Sequence, residues 1–151
     1  MCGQPITSYK SRELARLRAV VQTHYEPVNL TVRQVVEMGR TPYTGLTGRL
    51  AETDHQAVAD ALAACSLADY AERSFSRLSD GERQRVMIAA AVAQDTPIIL
   101  LDEPTAFLDY EARQQHFQLL RALADQGKCL ICATHDLDMA RRVTDLEYKL
   151  N

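Results

Sequence analysis

The sequence has no surplus of positive charge. Seventeen Lys and Arg stand against 20 Asp and Glu, for a net charge of −3, which excludes nucleic acid as the expected main partner. It has no apolar run of membrane-spanning length, because the longest candidates are broken by Gln94, Asp95 and Pro97. Its opening residues, MCGQPITSYKSREL, lack the apolar segment of a secretory signal. Together these absences read as a soluble chain that stays in the cytosol. There is no internal repeat, low-complexity tract or long linker. Cysteine is scarce: Cys2, Cys65, Cys129 and Cys132. The last two form a C-x-x-C, but no second such pair or nearby His pair completes a zinc set. Residues three apart on a strand point to opposite faces, so all four read as core or incidental thiols.

What is present suits a folded domain. With 151 residues, 46% of them hydrophobic and 25% charged, the chain can bury a real core. Three stretches follow one another. Residues 1–22 hold a short helix candidate, SRELARL, and an apolar strand, RAVVQ. Residues 23–78 read as mostly helical. LTVRQVVEMGR starts at Thr31 and sets Val32, Val35 and Val36 on one face. TPYTGLTGRL is a turn-rich connector, and DHQAVADALAACSL is a second helix that Asp54 can cap. Residues 79–151 alternate. A helix covers roughly 80–94, and PIILL reads as a fully buried strand. A helix from about Tyr110 to Gln126 follows, with Asp109 to cap its start and Gly127 its end. KCLICAT reads as a buried strand, DLDMARRV as a short helix and LEYKL as a possible last strand. Strand–helix alternation predicts an α/β fold with a parallel sheet. In such sheets ligands gather beyond the carboxyl ends of the strands, which singles out Asp102-Glu103 and Thr134-His135-Asp136.

Several residue sets there can carry chemistry. IILLDEP ends a strand in two carboxylates, which need solvent, a partner or a metal. Magnesium binds through one or two carboxylates with waters and phosphates, a role that fits Asp102. Glu103 projects differently and could act as a general base on water. His135, at the matching end of the next strand, could hydrogen-bond a terminal phosphate. RLSDGERQRV carries the capping box S-x-x-E at Ser79 and Glu82, enough by itself to explain a helix start. The open end of that helix also suits an anion, and Gly81 would let one approach the backbone. Asp80 opposes this unless it points away.

The order of these pieces closely resembles the ATP-binding cassette (ABC) ATPase family. LSDGERQ looks like its signature motif, IILLDEP like its Walker B strand, AFLD like its D-loop and His135 like its switch histidine. Gln22, ending RAVVQ, is similar to its Q-loop glutamine. GQPITSYKSRELARLRAVVQ and LTVRQVVEMGRTPYTG further resemble ATPase subunits of importers for iron–siderophore complexes, haem or cobalamin. The resemblance implies a P-loop NTPase-like parallel sheet core, incomplete here, with an inserted helical subdomain at residues 23–78 between core parts at 1–22 and 79–151. It implies ATP and Mg2+, with Asp102 and Gln22 holding the magnesium through water. Glu103 would address the attacking water and His135 the γ-phosphate. Ser79, Gly81 and Gln84 of the signature helix would reach the ATP of a second, head-to-tail ATPase subunit, and Asp109 would couple the two sites. Permease subunits would dock on the helical part, placing the protein at the inner face of the cell membrane. Asp80 replaces a glycine common in the family but falls between two contact residues.

One family element has no counterpart. No G-x-x-x-x-G-K-[ST] loop, which cradles the β- and γ-phosphates, can be built from Gly3, Gly39, Gly45, Gly48, Gly81 and Gly127. The expectation is an internal piece of an ABC ATPase, a truncated product or partial reading frame. By itself it would be inactive, with an exposed sheet edge and an apolar patch prone to aggregation. Two readings compete: an importer ATPase subunit, and a non-catalytic module that docks on a transporter or partner ATPase. An ABC-type ATPase acting on DNA or in translation would need long insertions or a second cassette, and neither is present.

Overall fold

In the computed structural model, residues 5–22, 28–45 and 48–148 are described. Their elements run α1 (Ser11–Leu14), β1 (Arg18–Val21), α2 (Val32–Met38), α3 (Glu52–Ala64), α4 (Asp80–Ala93), β2 (Ile98–Asp102), α5 (Tyr110–Asp125), β3 (Cys129–Ala133) and α6 (Leu137–Ala140). The three strands form a parallel sheet in the order β1-β2-β3. Val21 sits opposite Leu101, and Asp102 opposite Ala133. The predicted α/β class and parallel sheet are therefore present.

Alternation along the strands decides where the core lies. Ala19, Val21, Ile99 and Leu101 are buried, and they join one apolar cluster with α2 to α5. The other face is open: Val20 is 51% and Ile131 55% exposed. The expectation of fully buried strands at PIILL and KCLICAT is thus corrected. Ile98 and Leu100 are half-buried, and Cys129, Ile131 and Ala133 are exposed. α4 packs on β1 and α5 on β3, both toward the buried face, and β1 and β3 are the sheet's edges among the described residues. Val20 and Ile131 form the apolar patch expected from the sequence, and among the described residues no further strand pairs with β1 or β3.

Local signals set most helix ends. Thr31 Oγ1 accepts from Gln34 N at 3.2 Å, and Asp109 Oδ1 accepts from Ala112 N at 2.8 Å, as the capping rules require. After α5, Gly127 adopts φ +92°, the left-handed turn that glycine permits at low cost. Two ends differ from expectation. Helix α3 begins at Glu52, so Asp54 is a residue of its first turn and not its N-cap. It reaches back to accept from Ala51 N at 2.9 Å. Residues Leu146–Tyr148 are irregular, not a strand, while Lys149 and Leu150 lie outside the described residues. Arg121 of α5 pairs with Asp145 (2.9 Å), and Arg141, just past α6, pairs with Glu147 (3.0 Å), so this segment is tied to α5 and α6.

The GRTPY stretch is the stitch between helices and sheet. Gly39 lies so close to α4 that an added Cβ would stand 2.1 Å from Ala90 O. Arg40 is buried, with Nε 2.8 Å from Asp54 Oδ1 and Nη1 2.7 Å from Ala93 O. The Tyr43 ring is flanked by Arg40 at 4.0 Å and Arg16 at 5.1 Å. Arg12 and Arg16 both donate to Pro42 O, at 2.9 and 3.1 Å. Gln94 then donates to Arg18 O at 3.1 Å, tying the end of α4 to β1.

Removing one partner of a buried ion pair leaves the other unpaired, so Arg40→Ala or Asp54→Ala should lower unfolding free energy by about 3–5 kcal/mol in urea titration, with the paired Arg40→Met/Asp54→Leu variant recovering part of it. The Ala51 N–H first, then Arg40, hold the Asp54 carboxyl below its ordinary value against the effect of burial. A depressed carboxylate stabilises above its unfolded pKa of about 3.9. That contribution should vanish in wild type as pH falls below this value and be missing from Asp54→Asn. Gly39→Ala should cost about 2–3 kcal/mol by overpacking, while Gly45→Ala, with nothing within 4 Å of its Cβ position, should leave the urea midpoint unchanged.

Candidate functional site

Parallel pairing in register brings the carboxyl ends of three strands side by side. Gln22 is exposed and one residue beyond the Val21–Leu101 pair, next to the position of Asp102. Glu103 N donates to Ala133 O at 2.8 Å, which carries the β2–β3 pairing one step further. The chain after β3 then turns back over β2. His135 N lies 3.4 Å from Glu103 Oε2, and His135 Nε2 lies 3.4 Å from Glu103 Oε1. The two residues singled out at separate strand ends are therefore neighbours in space. Glu103 is the more enclosed of the two, at 27% side-chain exposure against 99% for His135.

Backbone strain marks the same corner. Glu103 has φ +44° and Phe107 φ +64°, a region that non-glycine residues enter at a cost of about 1–3 kcal/mol. Ser66 and Asp95 also have positive φ, but they follow the ends of α3 and α4, where a left-handed residue terminates a helix. No helix end explains Glu103 or Phe107. The 103–108 turn instead wraps an open cleft of about 380 Å³ with Glu103, Thr105, Phe107, Arg113, His135 and Asp136 on its walls.

Arg113 is a site residue that the sequence reading passed over. It is one turn past the Asp109 cap, and its Nη1 lies 3.2 Å from Asp136 Oδ2. Asp136 in turn accepts from Met139 N at 3.4 Å and starts α6. No local signal marks it, because its partner Asp136 is 23 residues further along the chain. Cys132 lies beneath the carboxylates. Burial first, then Glu103 and Asp102, push its thiol up to about 12, and Cys129 is exposed on the opposite face. A thiol held protonated is a poor nucleophile, which agrees with the non-redox reading of the C-x-x-C.

The capping box at the start of α4 is complete. Ser79 Oγ accepts from Glu82 N at 3.3 Å, and Glu82 Oε2 accepts from Ser79 N at 2.8 Å. The Ser79 N–H is the main reason the Glu82 carboxyl titrates below its ordinary value, against the effect of burial. Asp80 is occupied by Arg83 at 3.0 Å, so the charge that opposed an anion here is paired. A Cβ at Gly81 would meet Ala112 Cβ and Leu108 Cδ2 at 3.6 Å, ordinary contact distances, so internal packing does not demand glycine. Gln84 is 5% exposed and closed off from solvent. None of Ser79, Gly81 and Gln84 lines the cleft; Gly81 lies against Leu108 and Ala112, on either side of Asp109. Among the described residues no cluster of three or more His, Cys, Asp or Glu forms a ready metal cage. No helix there is long and apolar enough to cross a membrane.

Comparison with known proteins identifies the family. The family profile described as ABC transporter matches residues 1–106. An ABC transporter ATP-binding protein of Methanocaldococcus jannaschii is 42% identical over 145 residues, covering 95% of this chain and 50% of that protein. A cobalamin import ATP-binding protein of Halobacterium salinarum is 44% identical, covering 86% of this chain and 32% of that protein. An iron(3+)-hydroxamate import ATP-binding protein of Bacillus subtilis is 40% identical, covering 93% and 53%. The chain thus spans about half or less of the length of these relatives. Among solved structures, a metal-chelate type ABC transporter in an inward-facing conformation superposes with a TM-score of 0.80 at 30% identity, over 85% of this chain and 53% of that one. A dimeric ATP-binding cassette bound to ADP and Pi superposes with a TM-score of 0.69 at 31% identity, over 87% and 57%.

An exposed residue that holds nothing together contributes little to stability. His135→Ala should leave the urea midpoint where it is in wild type. Asp109→Ala should lower stability by about 1 kcal/mol through its lost cap. A large loss on His135→Ala would mean the corner is a structural clasp.

Proposed function

Because the chain belongs to the ABC transporter family, we propose that it forms the part of an ATPase subunit that activates water and reads the terminal phosphate of ATP, in an importer for a metal chelate such as an iron–siderophore complex, haem or cobalamin. The observation that carries this is the convergence of Gln22, Asp102, Glu103 and His135 at the carboxyl-end rim of the sheet, with Glu103 and His135 3.4 Å apart. The names of relatives that import cobalamin and iron(3+)-hydroxamate support the cargo class. Residues 23–78 are the helical subdomain on which permease subunits dock, placing the protein at the cytoplasmic face of the membrane. Residues 1–22 and 79–151 belong to the ATPase core.

The roles follow from position. The Glu103 carboxylate takes a proton from the water that attacks the γ-phosphorus, while the bond to the bridging oxygen breaks. A strained backbone at Glu103 limits where that carboxylate can point. His135, exposed beside Glu103, hydrogen-bonds the γ-phosphate and registers its loss. Exposed, adjacent oxygen donors suit magnesium, which asks for one or two carboxylates plus waters and phosphate. Asp102, with Gln22, would hold it through water, and the bound ion supplies charge neutralisation at the phosphates. Ser79 and Gly81 face the nucleotide of a second ATPase subunit, with the buried Gln84 on the same helix and Asp109 joining the two sites.

A second reading follows from the lack of a G-x-x-x-x-G-K-[ST] loop in these 151 residues: a docking module that caps another subunit's ATP. Phosphate release from Mg·ATP distinguishes them. The purified chain should be silent by itself. Mixed with a cassette polypeptide that supplies the phosphate loop, it should give turnover that Glu103→Gln lowers by about 10²-fold or more. Turnover by the chain alone, or indifference to Glu103→Gln, would refute the assignment. Turnover lost on Ser79→Ala yet kept on Glu103→Gln would favour the capping module.

A further inference from the structure

His116 has no part in the roles above, yet it is 1% exposed, and a buried imidazole needs an explanation. Its Nδ1 lies 2.8 Å from Ala112 O, one turn back on α5. A carbonyl oxygen only accepts, so Nδ1 carries the proton and donates. In the neutral ring Nε2 is unprotonated; it is buried and makes no hydrogen bond of ordinary geometry among the described residues, with the Gly81 backbone as its polar neighbour. Between the two nitrogens, Cε1 lies 4.0 Å from the point where a Cβ on Gly81 would stand. The ring is therefore lodged under the first turn of α4.

It does not stand alone in that seam. Leu108 Cδ2 and Ala112 Cβ flank the same spot at 3.6 Å, and one turn along α4 the Arg85 Nη2 donates to Gln115 Oε1 at 3.0 Å. Residues 81 and 85 of α4 meet 112, 115 and 116 of α5, each set at helical spacing. A hydrocarbon wedge could fill this space. It could not anchor itself to Ala112 O, which fixes the ring's orientation and thereby the gap between the helices.

We propose that His116 is a positioning residue whose neutral ring locks the first turn of α4 to the Asp109 corner, so that the Ser79–Gly81 turn and the start of α5 move as one body. What that body presents to a nucleotide rests on the functional reading above; the lock itself does not. Charge would work against it. Burial first, then Arg85, keep the imidazole titrating below its ordinary range, while the Ala112 and Gly81 backbones partly oppose them.

Amide hydrogen exchange on the full chain, without nucleotide, tests the lock. The Arg83 and Arg113 amides, bonded to Ser79 O at 2.9 Å and Asp109 O at 3.0 Å, report the first turns of the two helices. In His116→Phe, both should lose about tenfold in protection while α2 and α3 keep theirs. His116→Asn, whose amide can still donate to Ala112 O, should restore Arg113 but not Arg83. An even loss across all helices, or a loss confined to α5, would overturn the proposal. If His116→Phe does not fold, unchanged Arg83 protection in His116→Asn overturns it equally. Nitrogen NMR should show the wild-type ring neutral with its proton on Nδ1 at pH 7; a proton on Nε2 would also count against it. Failure of the turnover assay above, with these protections as expected, would indict the nucleotide reading and leave the lock standing.

Discussion

The register of three parallel strands is the constraint on which the remainder depends. Val21 opposite Leu101 and Asp102 opposite Ala133 force the chain to leave β1, β2 and β3 at the same end. Every polar residue placed just beyond a strand then arrives at one rim. Because side chains alternate on a strand, a slip of one residue would turn Ile99 and Leu101 out of the core. Burial of one face therefore holds the register, and the register holds the rim.

The helices secure this arrangement from one side. Arg40 is central to that work, since it joins α2 to α3 through Asp54 and to the end of α4 through Ala93 O. The close approach at Gly39 lets α2 and α4 meet backbone to backbone. The GRTPY stretch, which looked like a family marker, also has a packing role: a glycine with no room for Cβ, a buried arginine, and a tyrosine between two guanidinium groups. The same helix α4 that this stitch holds at its far end carries Ser79 and Gly81 at its near end.

Much of the fold was legible along the chain. Thr31, Ser79 and Asp109 cap helices where their spacing says they should, because a side-chain oxygen two or three residues ahead of free N–H groups acts locally. Val32, Val35 and Val36 are buried as their period predicts. Other features depended on what lies across space. Apolar residues in β2 and β3 cannot tell whether a helix covers both faces or one, and here the second face is open. Asp54 looked like a cap but serves from inside the first turn, where it also binds the buried Arg40, 14 residues away in sequence. The 146–148 segment has strand-like residues, yet two ion pairs draw it elsewhere.

By itself, the sequence determined the order of elements, the helix starts, and which residues stand at strand ends: Gln22, Asp102, Glu103 and His135. These are local properties, set by spacing, capping chemistry and period. Tertiary structure alone decided that Glu103 and His135 face each other at 3.4 Å, that Arg113 joins their cleft, and that Gly81 packs against Leu108 and Ala112 outside that cleft. Each of these is a distance between segments many residues apart. Such distances follow from which face of a strand or helix is buried, and burial is a property of the assembled molecule.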